Sequence, residues 1–410
     1  MRTSSIRRSR ARVTASAALG MLLVGIASVP AHAAGERDRQ WHLTAMGAEE
    51  IWHISTGKGV TVAVIDSGVE NNHPDLRGQV LDGKDLAPEA PGDEHTDVEG
   101  HGTGMAGIIA GTGKANGGAG AFGLAPGAKI LPIRLPAPDQ SRSAAYADEQ
   151  FNKVATEAIR FAADAGAKVI NISQGATAGS QQLTDAVKYA LDKGALVFAS
   201  VGNTGDKSNK LEYPGATPGV VGVGAVDRKL TRVPMSQYGP QVDIVAPGKD
   251  TVAACSGGRV CTSTGTSDST ALASAAAALI WAKHPDWTNN QVLKVMLNTI
   301  AKPAQGETRS DYIGYGAIRP LRALKTPGDP GPADVRPIDD LAETVTPSAS
   351  ASASGAADPG PVESSAAPAP TPQASQEDAG NTGLWIGLGI GAAVLVGAAI
   401  AVPVLRSRRG

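Results

Sequence analysis

Three residues that lie far apart in the chain offer an acid, a base and a hydroxyl in glycine-rich surroundings. Asp66 ends the apolar run Val-Ala-Val-Ile-Asp, His101 lies in Gly-His-Gly-Thr-Gly, and Ser267 follows Gly-Thr. A serine hydroxyl is a weak nucleophile at neutral pH, so an imidazole must take its proton and a carboxylate must orient the imidazole. The chain order Asp, His, Ser is one of the known orders for such a group. We therefore predict that these three side chains meet in one site.

Each of these residues also has an ordinary structural explanation. An aspartate at a strand end is usually a turn or cap residue, and a histidine before Gly-Thr usually begins a helix. A serine after Gly-Thr is usually a helix N-cap. The combination favours chemistry, because the N–H of Ser267 would lie at the positive end of a helix dipole, where it can stabilise an oxyanion.

The segments around these residues alternate between strands and helices. Apolar runs predict buried parallel strands at 60–65, 130–135, 168–172, 196–199 and 220–226. Apolar spacing predicts helices over 151–162, 183–191 and 267–283, and a capping box at 288–291 begins another. Repeated strand–helix units indicate an α/β fold with a doubly wound, mostly parallel sheet and helices on both faces. Ligands of such sheets bind at the carboxyl ends of the strands, where Asp66 lies.

Composition and the N-terminus limit the compartment and the partners. The chain has 410 residues and a net charge of −2, so no electrostatic argument favours nucleic acid. Residues 1–33 combine several arginines, a short apolar segment and an Ala-His-Ala cleavage site, which predict a secretory signal peptide; an uncleaved anchor is the alternative. Export favours a disulfide between the two cysteines, Cys255 and Cys261, that holds a local hairpin. In a reducing compartment they would be thiols or half a metal site.

A second membrane signal lies near the C-terminus. Residues 383–405 are apolar or small, close to the ~20 residues that a bilayer needs. The basic tail 406–410 follows at once. Positive residues stay in the cytoplasm, so the pattern predicts a single-pass type I protein of the cell membrane with its main domain, 34–325, outside the cell. The Pro-, Ala- and Ser-rich residues 326–382 predict a disordered linker between that domain and the membrane.

The motifs together resemble those of the subtilisin-type serine proteases, or subtilases. The resemblance covers residues 40 to about 324 and is strongest to the mycosins, which are membrane-anchored subtilases associated with type VII secretion in actinobacteria. It rests on Ser-Thr-Gly-Lys-Gly-Val-Thr-Val-Ala-Val-Ile-Asp-Ser-Gly at 55–68, His-Pro-Asp-Leu at 73–76, Gly-Leu-Ala-Pro at 123–126, Asn-Ile-Ser at 171–173, Val-Gly-Asn at 201–203 and Gly-Thr-Ser at 265–267. Signal peptide, linker, membrane helix and basic tail also match the mycosin layout.

The resemblance implies a subtilisin-like fold and a role for each motif. Ser267 is the implied nucleophile, His101 the general base and acid, and Asp66 the carboxylate that orients it. Asn203 is implied as the side-chain donor of an oxyanion hole beside the N–H of Ser267. A strand that pairs with the substrate backbone and a wall of the primary specificity pocket are implied at Ser173, Gln174 and Gly175 and at Ser200, Val201 and Gly202. We expect no cofactor and no metal site.

One stretch departs from the family pattern. Subtilases usually follow the nucleophile with an apolar residue, Ala, a small residue and Pro, whereas this chain has Asp268-Ser269-Thr270-Ala271. In the first helical turn, the negative charge of Asp268 would stabilise the helix by about 0.3–1 kcal/mol through its interaction with the helix dipole. Alternatively it would oppose the oxyanion, by about 3 kcal/mol at roughly 6 Å and an effective dielectric near 20. Ser269 is a rival nucleophile, but it lacks the Gly-Thr corner directly before it.

These observations predict a membrane-anchored, extracellular serine endopeptidase that works through an acyl-enzyme intermediate. The expected partners are a polypeptide substrate, the membrane and, by the resemblance, components of a type VII secretion complex. One alternative is a weakly active or inactive subtilase that serves as a structural component of that complex. Another is a membrane-tethered binding module that uses the substrate groove. The intact set Asp66, His101 and Ser267 argues against the structural component, whereas the Asp268 run leaves that alternative open.

Overall fold

The computed structural model of the chain describes residues 35–137, 142–303 and 306–341. By its internal packing the chain divides after Val345 into two units. The second unit, with the predicted membrane helix at 383–405, lies outside the described residues, as does the predicted signal peptide at 1–33. None of the helices within the described ranges has the length and apolar character of a membrane span.

A parallel sheet forms the centre of the described domain. Its seven strands are β1 (Thr61–Asp66), β2 (Lys84–Asp85), β3 (Lys129–Arg134), β4 (Val169–Ile172), β5 (Leu196–Ser200), β6 (Val221–Val226) and β7 (Ile244–Pro247). They lie in the order β2-β3-β1-β4-β5-β6-β7, and each neighbouring pair is parallel. The predicted α/β class with a mostly parallel sheet is confirmed.

Helices cover both faces of this sheet. Their bounds are α1 (Glu36–Arg39), α2 (Trp41–Met46), α3 (Ala48–Ile54), α4 (His101–Ala110), α5 (Ala144–Asp164), α6 (Gln181–Asp192), α7 (Thr266–Lys283), α8 (Asn289–Thr299) and α9 (Pro320–Lys325). Successive side chains of a strand point to opposite faces. In β1, Val62 and Val64 therefore join the core that contains α4 and α7, whereas Ala63 and Ile65 join the core of α5 and α6.

Helix α7 lies within the core rather than on the surface. Every residue from Thr266 to Trp281 is buried, and the helix contacts five strands, β1 and β4 to β7, as well as α4. A helix without a polar face has to be buried, and its many alanines allow close approach to the sheet. The first turn of α7, with Ser267, is thereby held at the edge where the strands end.

A two-stranded hairpin packs outside the parallel sheet. It consists of β8 (Thr251–Cys255) and β9 (Arg259–Ser263), which are antiparallel. Cys255 and Cys261 form the predicted disulfide across it. Strand β8 lies close against α4, since a Cβ at residue 107 would be only 2.9 Å from the Cβ of Ala254.

The packed chain continues beyond α9 into the predicted linker. Ile338 is 6% exposed and belongs to the main core. Arg336 is paired with Asp340 at 2.6 Å and donates to the carbonyl oxygen of Gly219 at 3.0 Å. The predicted start of the linker at residue 326 is therefore too early, because a few well-placed side chains anchor a segment of low overall hydrophobicity. The remaining linker residues, 342–382, lie outside the described ranges.

Candidate active site

The end of β1 and the start of α4 bring Asp66 and His101 together. Asp66 is the last residue of β1 and is fully buried. His101 is the first residue of α4, and its side chain is 36% exposed. Its Nδ1 lies 2.7 Å from Oδ1 of Asp66. Because an ionised carboxylate only accepts hydrogen bonds, Nδ1 carries a proton, and Nε2 of the neutral imidazole is left as the acceptor.

Nearby carboxylates favour the protonated form of His101. Its pKa is raised to about 9, chiefly by the negative charge of Asp66, while burial acts in the opposite direction. The hydrogen bond to Asp66 and the charges of Asp268 and Asp97 raise this pKa further. A proton taken from a nucleophile would be held firmly here, and the free base becomes abundant only at alkaline pH.

Ser267 lies in the first turn of α7. Its hydroxyl donates to the carbonyl oxygen of Ser173 at 3.2 Å. Among the described hydrogen bonds, none joins Ser267 to His101. The next residue, Gln174, donates from Nε2 to Oδ1 of Asp66 at 3.3 Å. The consecutive residues 173 and 174 thus contact both Ser267 and the Asp66–His101 pair. Catalytic hydrogen bonds are often loose in the absence of substrate.

Asn203 faces the same helix start. Its Oδ1 accepts from the backbone N–H of Thr266 at 3.0 Å and from the Thr266 hydroxyl at 3.1 Å. Because a backbone N–H can only donate, the side-chain atom that faces Thr266 is the amide oxygen of Asn203. The two hydrogens on Asn203 Nδ2 therefore point in another direction. The amides of a first helical turn have no intrahelical acceptor. A Cβ at residue 265 would be 3.6 Å from Asn203 Nδ2 and 3.8 Å from the backbone nitrogen of Ser267, so these two donors lie near one point at the start of α7.

The two predicted substrate segments follow neighbouring strands. Residues 173–175 come directly after β4, and residues 200–202 begin at the last residue of β5. The strands are paired with Ile172 opposite Ala199, so both segments leave the sheet at the same edge. Gly175 is exposed, whereas Ser200 and Val201 are buried. Both segments leave the sheet beside the start of α7, and the space between them is the predicted substrate cleft.

A further carboxylate, which no motif of the sequence indicates, lies beside both segments. Glu212 contacts Gly202 so closely that a Cβ at residue 202 would be 2.5 Å from its Oε1. Its neighbours in sequence, Leu-Glu-Tyr-Pro-Gly, form a loop without regular periodicity. No pattern in the sequence indicates that this loop reaches the ends of β4 and β5.

Asp268 is buried rather than exposed to solvent. It is 1% exposed, and its Oδ1 accepts a hydrogen bond from Ser263 at 2.8 Å. Burial raises the pKa of Asp268 to about 7, opposed by the hydrogen bond from Ser263 and by the charge of His101. Near neutral pH the carboxyl is thus partly protonated. Its predicted stabilisation of the helix through the helix dipole and its predicted repulsion of an oxyanion both require the charged form, so both depend on pH.

The rival nucleophile Ser269 faces away from the site. Its side chain is fully buried, and its hydroxyl donates to the carbonyl oxygen of Ala246 in β7 at 3.0 Å. Ser267 and Ser269 are two positions apart on the helix, so they point in different directions. Accordingly, the Ser267 hydroxyl donates to Ser173 after β4, and the Ser269 hydroxyl donates into β7.

Comparisons with known proteins identify the family of the chain. The profile of the Subtilase family matches residues 57–316. The thermophilic serine proteinase of Bacillus sp. (strain AK1) is 35% identical over 274 residues, which cover 67% of this chain and 64% of that protein. The chain thus spans less than two thirds of that relative's length.

Two solved structures cover a similar part of the chain. The crystal structure of MycP1 from Mycobacterium smegmatis has a TM-score of 0.63 and 28% identity, and covers 72% of this chain and 86% of that chain. The MycP3 protease from the type VII (ESX-3) secretion system has a TM-score of 0.60 and 32% identity, with 70% of this chain and 88% of that chain covered. With a family match over most of the described domain, and with mycosins as structural neighbours, the chain belongs to the subtilase family of serine proteases.

Proposed function

We propose that this chain is a serine endopeptidase in which Asp66, His101 and Ser267 act as a catalytic triad. The observation that carries the proposal is the 2.7 Å contact between Asp66 Oδ1 and His101 Nδ1, formed at the same sheet edge as the start of α7. An oriented imidazole beside a serine at a helix start is the arrangement that activates a hydroxyl for acyl transfer.

In the proposed reaction Ser267 Oγ attacks the peptide carbonyl carbon while its proton passes to Nε2 of His101. The carbonyl oxygen becomes an oxyanion that accepts hydrogen bonds from Asn203 Nδ2 and from the N–H of Ser267. His101 then gives the proton to the leaving amine as the C–N bond breaks, which leaves an acyl-enzyme. Water, deprotonated by His101, hydrolyses this ester and returns the proton to Ser267.

One movement is required before the first step. The Ser267 hydroxyl donates to Ser173 in the described structure, so it has to rotate about its Cα–Cβ bond to donate to His101. Substrate backbone that pairs with residues 173–175 would compete for the Ser173 carbonyl and release the hydroxyl.

The test is labelling with a fluorescent fluorophosphonate, which reacts with activated serines. We expect the full-length chain to be labelled and Ser267→Ala to lose all labelling. Ser269→Ala is the matched control, because Ser269 donates to Ala246 and is not directed toward the cleft. Labelling that persists in Ser267→Ala, or is absent from the unsubstituted chain, would contradict the proposal and favour the non-catalytic structural component.

We also propose that the chain is exported by a signal peptide at 1–33 and held in the cell membrane by residues 383–405, with the catalytic domain outside. The support is the order of charged and apolar segments in the sequence. A role in type VII secretion is proposed from the resemblance to MycP3, a protease of such a system. Deletion of 383–410 should move the protein from the membrane fraction to the soluble fraction; unchanged membrane association would contradict the anchor.

A further inference from the structure

We propose that Glu212 determines the specificity of the cleft and that the chain cleaves after arginine or lysine. This inference rests on the proposed function, because it concerns the residue whose carbonyl Ser267 would attack. It goes further in naming the substrate class, which none of the sequence motifs described above indicates.

The position of the carboxylate carries the first step. Glu212 lies between the two substrate segments: a Cβ at residue 202 would be 2.5 Å from Oε1 of Glu212, and a Cβ at residue 175 would be 3.7 Å from Oε2. Glycine at 202 is therefore required for the carboxyl group to lie at this wall. The side chain is only partly buried, so a ligand that enters the cleft can reach it.

Neighbouring groups hold the carboxylate in place. Gln237, which is fully buried, donates from Nε2 to Glu212 Oε1 at 2.7 Å and to the hydroxyl of Thr204 at 2.9 Å. Two backbone hydrogen bonds, of 2.9 and 2.8 Å, join Tyr213 to Ala176 and fix the loop against the end of β4. The carboxylate is therefore preorganised, which lowers the entropic cost of binding a ligand.

Asn203 connects Glu212 to the reacting carbonyl. It directly follows Gly202, where a Cβ would be 2.5 Å from Glu212 Oε1, and its side chain accepts a hydrogen bond from Thr266 at the start of α7. A substrate residue whose carbonyl oxygen reaches Asn203 Nδ2 would thus have its own side chain beside Glu212. That side chain belongs to the residue on the amino side of the cleaved bond, the P1 residue.

Among the residues that the structure describes, none supplies a counter-ion for the Glu212 carboxylate. Within the described residues no lysine, arginine or histidine lies within ion-pair distance of it. Burial raises the pKa of Glu212, and the hydrogen bonds from Gln237 and Asn203 lower it in part. A guanidinium or ammonium group would supply the missing positive charge. An apolar P1 side chain would instead desolvate the carboxylate without compensation, and an acidic one would repel it.

The experiment compares peptides that differ only at P1, with the full-length chain in mild detergent. Citrulline is the neutral isostere of arginine, and norleucine is an uncharged counterpart of lysine. We expect kcat/KM for arginine to exceed that for citrulline by roughly 30-fold or more, as for a partly desolvated charge pair. Glu212→Gln should bring this ratio close to one. Glu307→Gln, which removes an exposed carboxylate outside the cleft, should leave it unchanged.

Equal cleavage after arginine and citrulline, or a ratio that Glu212→Gln does not alter, would overturn the inference. The comparison of the two peptides on the unsubstituted chain decides the matter even where Glu212→Gln fails to fold. Binding of the same peptides to Ser267→Ala, measured by fluorescence anisotropy, needs no turnover and should show the same preference. If Ser267 is labelled but arginine is not preferred, the role of Glu212 is refuted and the proposed peptidase activity stands. Arginine-selective binding without labelling refutes the peptidase and retains the role of Glu212.

Discussion

At the scale of single residues, the environment of His101 connects local charge to the expected pH dependence. Asp66 is its hydrogen-bonded partner, and Asp268 and Asp97 add to the negative field around it. Asp66 orients the ring, whereas Asp268 comes from the position that is apolar in most subtilases. The chain therefore places an additional titratable group beside its proposed base, and that group titrates near neutral pH.

We predict that kcat/KM rises with pH and levels off near the pKa of His101, about 9. Below that pH the neutral imidazole increases about tenfold for each pH unit. In Asp268→Asn a negative charge is missing above pH 7, so the pKa of His101 should fall and the rising limb should move to lower pH. The plateau should also rise, because repulsion of the oxyanion is removed. The measurement is a pH–rate profile with a peptide whose own charge is constant.

Asparagine keeps a carbonyl oxygen that can accept the hydrogen bond from Ser263, so the comparison isolates charge from shape. If kcat/KM rises over the same pH range in the variant and in the unsubstituted chain, Asp268 does not act on His101. If the pH–rate profiles of the variant and of the unsubstituted chain both level off near pH 6 or below, the result would contradict the stabilisation of the His101 imidazolium by Asp66.

At the scale of secondary structure elements, the distance between β1 and α4 sets the contact between Asp66 and His101. Gly102 in α4 lies directly against the chain after β1: a Cβ at this position would be 2.2 Å from the carbonyl oxygen of Gly68 and 3.1 Å from the Cβ of Asp66. Gly104 in the same helix has no atom within 4 Å of the corresponding position. The two glycines thus differ in packing although they share a helix.

We predict that Gly102→Ala lowers kcat/KM at least tenfold. The added methyl group pushes α4 away from β1, and displacement of a catalytic group by about 1 Å can cost on the order of a hundredfold. Gly104→Ala is the control, and it should retain activity and gain about 0.5–1 kcal/mol of stability from the higher helix propensity of alanine. Kinetics and thermal unfolding of both variants provide the test. Equal activity in the two variants would show that the helix position does not limit catalysis.

At the scale of the whole molecule, the segment 326–341 belongs to the folded domain. It contributes Ile338 to the core and the Arg336–Asp340 pair to the surface beside Gly219. Gln291 of α8 donates to the carbonyl oxygen of Gly331 at 2.9 Å. The segment thereby ties α8 to the loop before β6.

We predict that a chain that ends at Lys325 is less stable than one that ends at Leu341. Loss of one buried isoleucine and several hydrogen bonds should lower the free energy of unfolding by on the order of 3 kcal/mol. Both shortened chains lack residues 342–410, so their difference reports on 326–341 alone. Urea unfolding followed by tryptophan fluorescence measures it, and coincident transitions would contradict the packing of this segment.

Much of the architecture follows from local pattern. Strands predicted at 60–65 and 130–135 appear at Thr61–Asp66 and Lys129–Arg134, because a strand covered on both faces is a continuous apolar run. The capping box at Thr288 is present as predicted. The four-residue strand β7 and the short helices α1 to α3 were not predicted, since such lengths contain too few turns or alternations to show a period.

The sequence by itself determined the class of fold, the disulfide hairpin and the three side chains proposed for catalysis, because each has a signature within a few neighbouring residues. Only the tertiary structure decided the burial of Asp268, the direction of the Ser267 hydroxyl and the place of Glu212 between Gly175 and Gly202. These features depend on groups that are distant in the chain. Desolvation and charge pairing act through space, so a carboxylate acquires its chemistry only when the fold surrounds it.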